Sequence, residues 1–558
     1  MVLLLYKKDW LSEGIRATMS SRVAHYLQEH LLGEVIDSSD ARRYFSCDGS
    51  VFQIAPSLIV YPRNENDIRK TARFTWQLAE RGRLIPITPR GAGTDETGAA
   101  IGSGIILAFT AHMNRILELN TKAKTVNVEP GINYGKLQQV LHTHGQYIPA
   151  YPSGIDYSTI GGAIANNSSG ESSFKFGSTR NFVKSLRLVL ANGEVISVSN
   201  LSKRELSKKL GLATFEGEIY RSIDILIEEN SELIERMKLH TTLNNSGYAL
   251  SEVKHKDGSF NLIPLIAGSQ GTLGIITEAQ LATEDYDPVS CMVMAEFDSA
   301  EKMQQAVVDF NASKEMADSI ELIDQSTLEE VFKLNPNHLK DLVSVPLPRF
   351  LVFLRYANQK KPPKSARKIL ETYAKSFDVS DDPEEQIKFI KVKEAINLVI
   401  AHNEGLLRPL PLFDGSVPVD RLREYLEGLD NINKSNHLHA AIWGHLGLGH
   451  LTMKPRLNLG HVGDRQKIFR VLEEYNQLVI KLGGTVSSTS GDGRLKAPYT
   501  QYVYGPELYA LMVKVKQIFD PYGTLNQGVK FNSSVEDFKT ILRSDFSLNH
   551  IYDHLPRA

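Results

Sequence analysis

The chain has 558 residues, more than one hydrophobic core usually supports, so we expect two or three domains. Its formal net charge of −2 argues against a nucleic-acid partner or a polybasic membrane anchor. Two cysteines, Cys47 and Cys291, cannot supply the four thiolates of an ordinary iron–sulfur cluster, and they indicate a reducing, cytoplasmic setting. No apolar stretch approaches the roughly 20 residues of a membrane-spanning helix, which leaves only peripheral membrane association open.

The first half of the chain predicts an α+β unit. Residues 1–52 form a helical lead-in, and the apolar run at residues 1–6 lacks the preceding charges of a secretion signal. Period-2 and apolar runs predict strands at residues 58–61, 84–87, 104–109, 125–128, 185–190 and 194–198. Residues 64–81 have the spacing of an amphipathic helix, and Asn192-Gly193 predicts a tight hairpin turn.

A second unit is predicted over residues 288–500, followed by a mainly helical segment at 501–558. Strands are expected at residues 291–297, 320–323, 350–355 and 437–444, and helices at 300–312, 364–377 and 464–482. Such strand–helix repeats indicate a sheet covered by helices on one face. No low-complexity linker separates the two units, so we expect them to pack together around a cleft that holds the site.

Four Gly-rich elements carry the functional signal. In the first, residues 89–95, successive backbone N–H groups can converge on an anion, and Arg90 and Thr94 can add donors. Alone it could be an ordinary loop, since it lacks the Lys-Ser/Thr of a P-loop and the spacing of a dinucleotide fingerprint. The other three elements lie at residues 152–179, 268–278 and 519–528, and the small residues of the second would let a flat ligand lie against the backbone.

In this order and spacing, the four elements resemble the vanillyl-alcohol-oxidase / para-cresol-methylhydroxylase (PCMH) superfamily of FAD proteins. The nearest branch is that of the FAD-linked D-lactate, glycolate and D-2-hydroxyglutarate dehydrogenases, and the resemblance covers residues 45–531. It implies an α+β fold with a two-lobed PCMH-type FAD-binding domain at 53–287 and an α/β ferredoxin-like cap domain at 288–500. The C-terminal helical segment, 501–558, should return to the FAD domain.

The resemblance also implies which residues hold FAD. The pyrophosphate should lie against the first loop, at Arg90, Gly91, Ala92, Gly93, Thr94 and Asp95. The flavin and ribityl chain should be lined by Pro152, Ser153, Gly161, Gly162, Asn167 and Gly170. Gly271 and Ile275 should supply backbone contacts, and Asn526 should lie near the isoalloxazine ring. Covalently flavinylated members use a His or Cys in the first loop, and residues 89–98 contain neither, so we expect non-covalent FAD.

The substrate side departs from the family. The dehydrogenases build a divalent-metal site from a Gly-His-x-Gly-Asp-Gly-Asn-x-His stretch and a later Glu, followed by a catalytic His. Only His445 matches a ligand here, and the other positions are changed to Leu448, His450, Thr452, Thr489 and Ser490. A divalent cation usually needs three or more protein ligands, so we expect no bound metal. Two polar histidines in a Gly-rich turn are the plain alternative to a functional pair.

The carboxylate-binding side is altered as well. Lys393 stands where the family often has an arginine, and Arg408 is a candidate substitute or a solvated side chain. We expect an FAD-dependent oxidoreductase that oxidises a small hydroxy substrate, a D-2-hydroxy acid such as D-lactate or glycolate, by hydride transfer to flavin N5. His445 and His450 are the candidate bases, with Asp492 a third.

Two alternatives remain open: oxidation of another alcohol or sugar class, and an FAD-binding protein with lost or redox-neutral activity. The electron acceptor, whether oxygen, a quinone, a cytochrome or an electron-transfer flavoprotein, leaves no mark in the sequence.

Overall fold

The structure is a computed structural model that describes residues 13–438 and 440–547. The apolar run at residues 1–6 and the last part of the predicted C-terminal segment lie outside the described residues. No helix among the described residues is long and apolar enough to cross a membrane.

The first lobe is built on a four-stranded sheet with the strand order β1-β2-β4-β3. In chain order its elements are α1 (Glu13–His30), β1 (Glu34–Ile36), α2 (Ser39–Tyr44), β2 (Leu58–Tyr61), α3 (Glu65–Glu80), β3 (Ile87–Arg90) and β4 (Ile105–Ala108). Asn64 caps α3 by accepting a hydrogen bond from the Asp67 backbone N–H. The apolar face of α3, with Ile68 and Ala72, packs in the core of this sheet, which confirms the predicted amphipathic helix.

The strand predicted at residues 84–87 is wrong in position. β3 begins only at Ile87, where pairing with Ile105 of the neighbouring strand starts, whereas Leu84 is exposed and Pro86 has no N–H to donate. As an edge strand, β3 also tolerates Pro89, which has no N–H to donate. The first Gly-rich loop therefore starts directly at the end of a buried parallel strand.

The second lobe is a six-stranded antiparallel sheet with the order β10-β9-β8-β11-β6-β5. Gly193, with φ of +85°, turns the β8–β9 hairpin, as Asn192-Gly193 predicted. In chain order the elements are β5 (Ile116–Asn120), β6 (Thr125–Val128), α4 (Tyr134–Thr143), β7 (Gln146–Tyr147), α5 (Ile160–Asn166), α6 (Ser173–Phe176), β8 (Val183–Val189), β9 (Val195–Leu201), α7 (Lys203–Leu210), α8 (Phe215–Glu229), α9 (Ser231–Arg236), β10 (Phe260–Asn261), α10 (Ile263–Ile266), β11 (Ile275–Ala282) and β12 (Glu284–Asp285).

The cap contains the third large sheet, with the order β16-β13-β15-β14-β18-β19. Its first four strands, with α11 and α13, give the ferredoxin-like arrangement that the resemblance implied. The elements are β13 (Ser290–Phe297), α11 (Ala300–Ala312), β14 (Ser319–Asp324), α12 (Gln325–Leu334), β15 (Phe350–Ala357), α13 (Lys364–Tyr373), β16 (Ser376–Ser380), α14 (Pro383–Lys393), α15 (Ile396–Ala401), β17 (Arg408–Pro409), α16 (Leu422–Ser435), β18 (Ile442–Gly444), β19 (Thr452–Met453), β20 (Arg456–Leu457) and α17 (Val462–Lys481).

Two predicted cap elements need correction. The helix predicted at 364–377 ends at Tyr373, because residues 376–380 pair with β13 as strand β16. The strand predicted at 437–444 is reduced to Ile442–Gly444, because α16 runs to Ser435 and the chain turns after it. The predicted domain boundaries at 52/53, 287/288 and 500/501 stay predictions.

The C-terminal segment returns to the second lobe. Helix α18 (Thr500–Phe519), kinked where Gly505 has φ of +72°, buries Leu508, Met512 and Val515 in the core that α8 also lines. The next segment joins the first lobe, since the Ile87 N–H donates to the Thr524 carbonyl at 2.7 Å. Helix α19 (Val535–Ile541) then packs Phe538 against Phe52.

A fully buried ion pair ties this segment to the rest of the molecule. Lys530 Nζ lies 2.9 Å from Asp492 Oδ2, and neither side chain is exposed to solvent. The Asp492 carboxylate also accepts the Gly247 N–H at 2.8 Å and the Ser487 hydroxyl at 2.6 Å. Lys530 also donates to the Asn245 carbonyl at 3.1 Å. These hydrogen-bond partners come from the second lobe, the end of the cap and the C-terminal segment. The buried pair therefore joins these three parts of the chain.

We expect Lys530→Met to destabilise the folded chain by about 3–5 kcal/mol, because it leaves the Asp492 carboxylate buried and uncompensated. Equilibrium denaturation by guanidinium, followed by circular dichroism, measures the change. Lys539→Met, which removes the exposed pair with Glu536, is the matched control and should unfold with the native chain. Equal unfolding midpoints for the two variants would contradict a structural role of the buried pair.

Candidate functional site

A cavity opens between the two lobes of the first half of the chain. Three of the four Gly-rich elements line it. The lining includes Arg90, Gly91, Ala92, Gly93, Thr94, Asp95, Gly161, Gly162, Asn166, Gln270 and Gly271. Of the residues that the sequence assigned to cofactor binding, the structure thus brings Arg90 to Asp95, Gly161, Gly162 and Gly271 together around one space.

The loop after β3 presents unpaired backbone donors to this cavity. Among the described residues, no acceptor receives a hydrogen bond from the backbone N–H of residues 91–96. Ala92 and Gly93 are buried, and buried backbone donors in folded proteins almost always have a partner. Successive free N–H groups in a Gly-rich turn are the arrangement that binds a phosphate oxygen. The loop is therefore built for an anionic ligand.

The Arg90 side chain connects the loop to neighbouring segments through hydrogen bonds. Its buried guanidinium donates through Nη1 to the Cys47 carbonyl at 2.8 Å and to the Ala100 carbonyl at 3.1 Å. Gly93 has φ of +74°, and a Cβ there would lie 2.3 Å from Arg90 Nη2. A larger residue at position 93 would therefore displace the guanidinium that holds the loop in shape.

Close backbone approach explains the other small residues of the wall. A Cβ at Gly91 would lie 2.2 Å from Thr159 Oγ1, and one at Gly161 would lie 2.6 Å from Pro130 Cβ. Thr159 caps α5 by accepting the Gly162 N–H, so its position is fixed by the helix that it starts. The loop and the start of α5 can meet at the cavity only because these positions lack side chains.

Six expected cofactor residues lie outside the lining of this cavity. Asn526 joins three connections, donating to the Ala99 and Gln270 carbonyls at 2.8 and 2.6 Å and accepting from Thr88 Oγ1 at 3.0 Å. Asn167 is a left-handed helix cap that donates to Asn245 Oδ1 at 2.6 Å. The remaining four are Ile275 in β11, Gly170 against the Tyr151 carbonyl, and Pro152 and Ser153 in the adjoining turn. Their roles in cofactor binding stay predictions.

A buried ionic cluster in the cap adjoins the loop that follows Asn167. The Ser169 N–H donates to the Thr489 carbonyl at 3.2 Å, and Thr489 and Ser490 both donate to the Asp414 carboxylate. Lys496 Nζ pairs with the same carboxylate at 2.5 Å. The positions that replace the family's Glu and His thus serve to hold Asp414.

Two stacked histidines complete the cluster, with ring centroids 5.3 Å apart. His445 faces Glu321 of β14, with Nδ1 at 2.8 Å from a carboxylate oxygen. His450 Nε2 lies 3.3 Å from Asp414 Oδ1, while its buried Nδ1 has no hydrogen-bond partner among the described residues. The residues described contain no group of three His, Cys, Asp or Glu side chains that could hold a metal.

The surroundings shift the pKa values of the two histidines in opposite directions. Burial lowers the pKa of His450 below its usual value, although Asp414 opposes this change. Burial acts in the same direction at His445, but there the charge and hydrogen bond of Glu321 prevail and raise the pKa. Burial would raise the pKa of Asp414, yet Lys496 and His450 hold that pKa well below its usual value. The cluster therefore contains two histidines whose pKa values are shifted in opposite directions.

Lys393 and Arg408, the two predicted carboxylate ligands, have different surroundings. Lys393 pairs with Glu171, a carboxylate from the FAD-domain side that also accepts the Tyr151 hydroxyl at 3.2 Å. Arg408 donates to the Gly405 and Leu407 carbonyls in its own turn and makes no hydrogen bond to the cluster. Asp492, the third candidate base, is enclosed in its pair with Lys530.

Sequence reasoning did not single out Glu171, Glu321, Lys496 or the role of Asp414. Asp414 had a signal, because it opens an Asp-x-Ser-x-Pro stretch of the family type. The other three lie far apart in sequence from the histidines and meet them only through the fold.

Comparison with known proteins supports these features. A model of the FAD binding domain matches residues 56–199, and a model of the C-terminal domain of FAD linked oxidases matches residues 287–529. D-2-hydroxyglutarate dehydrogenase from Haemophilus influenzae is 27% identical over 90% of this chain, which spans only 50% of that relative's length. The glycolate oxidase subunit GlcD of Bacillus subtilis is 25% identical over 89% of this chain and 93% of its own length.

A solved structure of p-cresol methylhydroxylase with substrate bound has the same fold. Its TM-score is 0.66 at 12% sequence identity, over 93% of this chain and 97% of that chain. The unpaired loop donors of residues 91–96 lie inside the matched FAD binding domain and suit the pyrophosphate of FAD, which is the cofactor. By its two matched domains the chain belongs to the FAD linked oxidases, and it is similar to D-2-hydroxyglutarate dehydrogenases and glycolate oxidase subunits.

Proposed function

We propose that the chain oxidises the CH–OH group of a small hydroxy acid and uses His450 Nδ1 as the base. The observation that carries this assignment is the buried Nδ1, which has no partner among the described residues, on a ring whose other nitrogen faces a carboxylate. Buried polar atoms without a partner are uncommon and concentrate at functional sites. The relatives' names, D-2-hydroxyglutarate dehydrogenase and glycolate oxidase subunit, support the hydroxy-acid class.

Asp414 sets the tautomer of the base. With its carboxylate ionised by Lys496, Asp414 accepts the Nε2–H of His450, so that the lone pair remains on Nδ1. Nδ1 then takes the hydroxyl proton of the substrate. FAD, when bound, supplies the chemistry that accepts the hydride from the same carbon. The product is the corresponding oxo acid, and His445, whose pKa Glu321 raises, favours the charge that develops on the substrate oxygen when its ring is protonated.

The remaining parts of the proposal concern setting and partners. FAD is held without a covalent link, because the cavity lining contains neither Cys nor His. Cys47 and Cys291 are free thiols, which supports a cytoplasmic location. Turnover would also need an electron acceptor, which would be oxygen, a quinone, a cytochrome or an electron-transfer flavoprotein, and flavin reoxidation rates measured with each acceptor would identify it.

Gly93→Ala should reduce FAD retention at least roughly tenfold, because its Cβ would collide with Arg90 and distort the loop donors. Gly82→Ala is the matched control: Gly82 has nearly the same φ, +75°, but no atom within 4 Å of the Cβ that alanine would add, so that variant should keep its FAD. FAD in the supernatant after acid precipitation measures the content. Equal FAD content in both variants would contradict the role of the loop shape in cofactor binding. FAD left in the pellet after acid precipitation would contradict non-covalent attachment.

His450→Gln should slow substrate-driven flavin reduction by roughly 10²–10⁴-fold, because the site loses its general base. His445→Gln should slow it less, since that ring acts through its charge. Anaerobic stopped-flow absorbance with D-lactate or glycolate measures the rates. The exposed His461→Gln is the control and should keep the native rate. Unchanged rates in both cluster variants would refute the assignment.

The rate of flavin reduction should depend on the neutral form of His450. Because burial puts the pKa of His450 below the usual 6.5, the rate should rise with pH through that lowered pKa and stay level from about pH 6.5 upward. Stopped-flow measurements across the range in which the protein stays folded test this profile. A rise centred above pH 6.5 would assign the base to another group.

A further inference from the structure

Most of the basic side chains around the histidine cluster of the cap are each paired with a carboxylate. Lys496 is paired with Asp414, His445 with Glu321, and Lys393 with Glu171. Each of these cations is therefore already opposed by a carboxylate. A carboxylate substrate needs a cation that is not yet compensated, because burying an unpaired negative charge is costly.

Arg355 is the cation that meets this need. Within the parts of the chain that the structure describes, its guanidinium makes no hydrogen bond and no ion pair, and the side chain is half-buried. Burial would raise the pKa of the Glu171 carboxyl, but the charges of Lys393, Arg355 and His445 outweigh burial and lower that pKa. Arg355 thus acts on the same carboxylate as Lys393 and His445.

The sheet register places Arg355 beside the histidine cluster. In β15 it lies opposite Ser319 of β14, and Phe353, two residues before it, lies opposite Glu321. Alternate residues of a strand share a face, and directly paired residues share that face as well. Arg355 therefore projects from the same face of the cap sheet as Glu321, the partner of His445.

We propose that the site accepts 2-hydroxy acids with one carboxylate, which Arg355 receives, and that Glu171 excludes a second carboxylate. This inference rests on the proposed oxidation of a hydroxy acid and names its substrate class. The planar guanidinium suits a carboxylate better than Lys393 does, because it can donate two parallel hydrogen bonds. Once Arg355 is occupied, a further carboxylate would meet Glu171 and Glu321 with no uncompensated cation left, so like-charge repulsion disfavours it.

The test compares monocarboxylate and dicarboxylate substrates on the FAD-loaded protein. The native chain should reduce its flavin with D-lactate or glycolate at a kcat/KM at least roughly tenfold above that with D-2-hydroxyglutarate. Glu171→Gln should lower the ratio of kcat/KM for the monocarboxylate acids to that for D-2-hydroxyglutarate by roughly tenfold. The substitution removes the negative charge that repels the second carboxylate, while the amide can still form hydrogen bonds. Arg355→Gln should raise KM for both acids by roughly 10- to 100-fold, and Arg355→Lys should restore part of the loss.

Arg423→Gln, an exposed arginine of α16, is the control and should leave the ratio unchanged. Equal kcat/KM for the two acid classes in the native chain, or a ratio that Glu171→Gln does not change, would overturn the inference.

A binding measurement separates this inference from the proposed reaction. Pyruvate and 2-oxoglutarate, the oxo acids of the two classes, are titrated against the oxidised protein by isothermal calorimetry. If no hydroxy acid reduces the flavin, but pyruvate binds more tightly than 2-oxoglutarate and loses affinity in Arg355→Gln, the proposed reaction fails and the carboxylate assignment holds. If pyruvate binds the native and Arg355→Gln proteins equally, the assignment fails whatever the turnover shows.

Discussion

The structure depends first on a loop whose backbone donors have no acceptor in the described chain. Residues 91–96 leave β3 with N–H groups that have no acceptor among the described residues, and the buried donors among them need a ligand or ordered water as a partner. The surroundings keep the loop in this state. Arg90 holds it from below through the Cys47 and Ala100 carbonyls, and the glycines at 91 and 161 allow α5 to approach. The backbone N–H groups of this loop are therefore available to hydrogen-bond the cofactor.

In the cap, by contrast, the charged side chains of the histidine cluster are paired with one another. There each ion of the histidine cluster has a partner, and the partners come from different segments: β14 gives Glu321, the turn after β18 gives the histidines, and the FAD side gives Glu171. Because both histidines are buried yet only one has a strong carboxylate contact, their pKa values move apart. Two residues of one type thereby have pKa values shifted in opposite directions, which is a common way for a site to obtain an acid and a base near neutral pH.

Three of the four Gly-rich elements that the sequence singled out line the cavity, whereas most partners in the cap cluster were not predicted. The Gly-rich elements are local in sequence, so the family resemblance that they carry could assign Gly93 and Gly161 to cofactor binding, and both line the cavity. Apolar periodicity likewise predicted α3 and α11 within a residue or two. Strand ends were less accurate, as at residues 84–87, because hydrogen-bond pairing and not composition decides where a strand begins. The partners of His445 and Asp414 could not be predicted, since Glu321 and Lys496 reach them only through sheet register and domain packing.

The hydrogen bonds of Asn526 affect the order in which the FAD cavity forms during synthesis. Its amide joins the Ala99 and Gln270 carbonyls, which belong to the two lobes on either side of the cavity, and the neighbouring Lys530 neutralises Asp492. These residues follow both lobes and the whole cap in the chain. The cavity wall therefore closes only after this late segment has been synthesised and has docked. We expect cofactor loading to be a late event in biogenesis, because a nascent chain arrested before residue 526 would lack the connection that Asn526 makes between the two lobes.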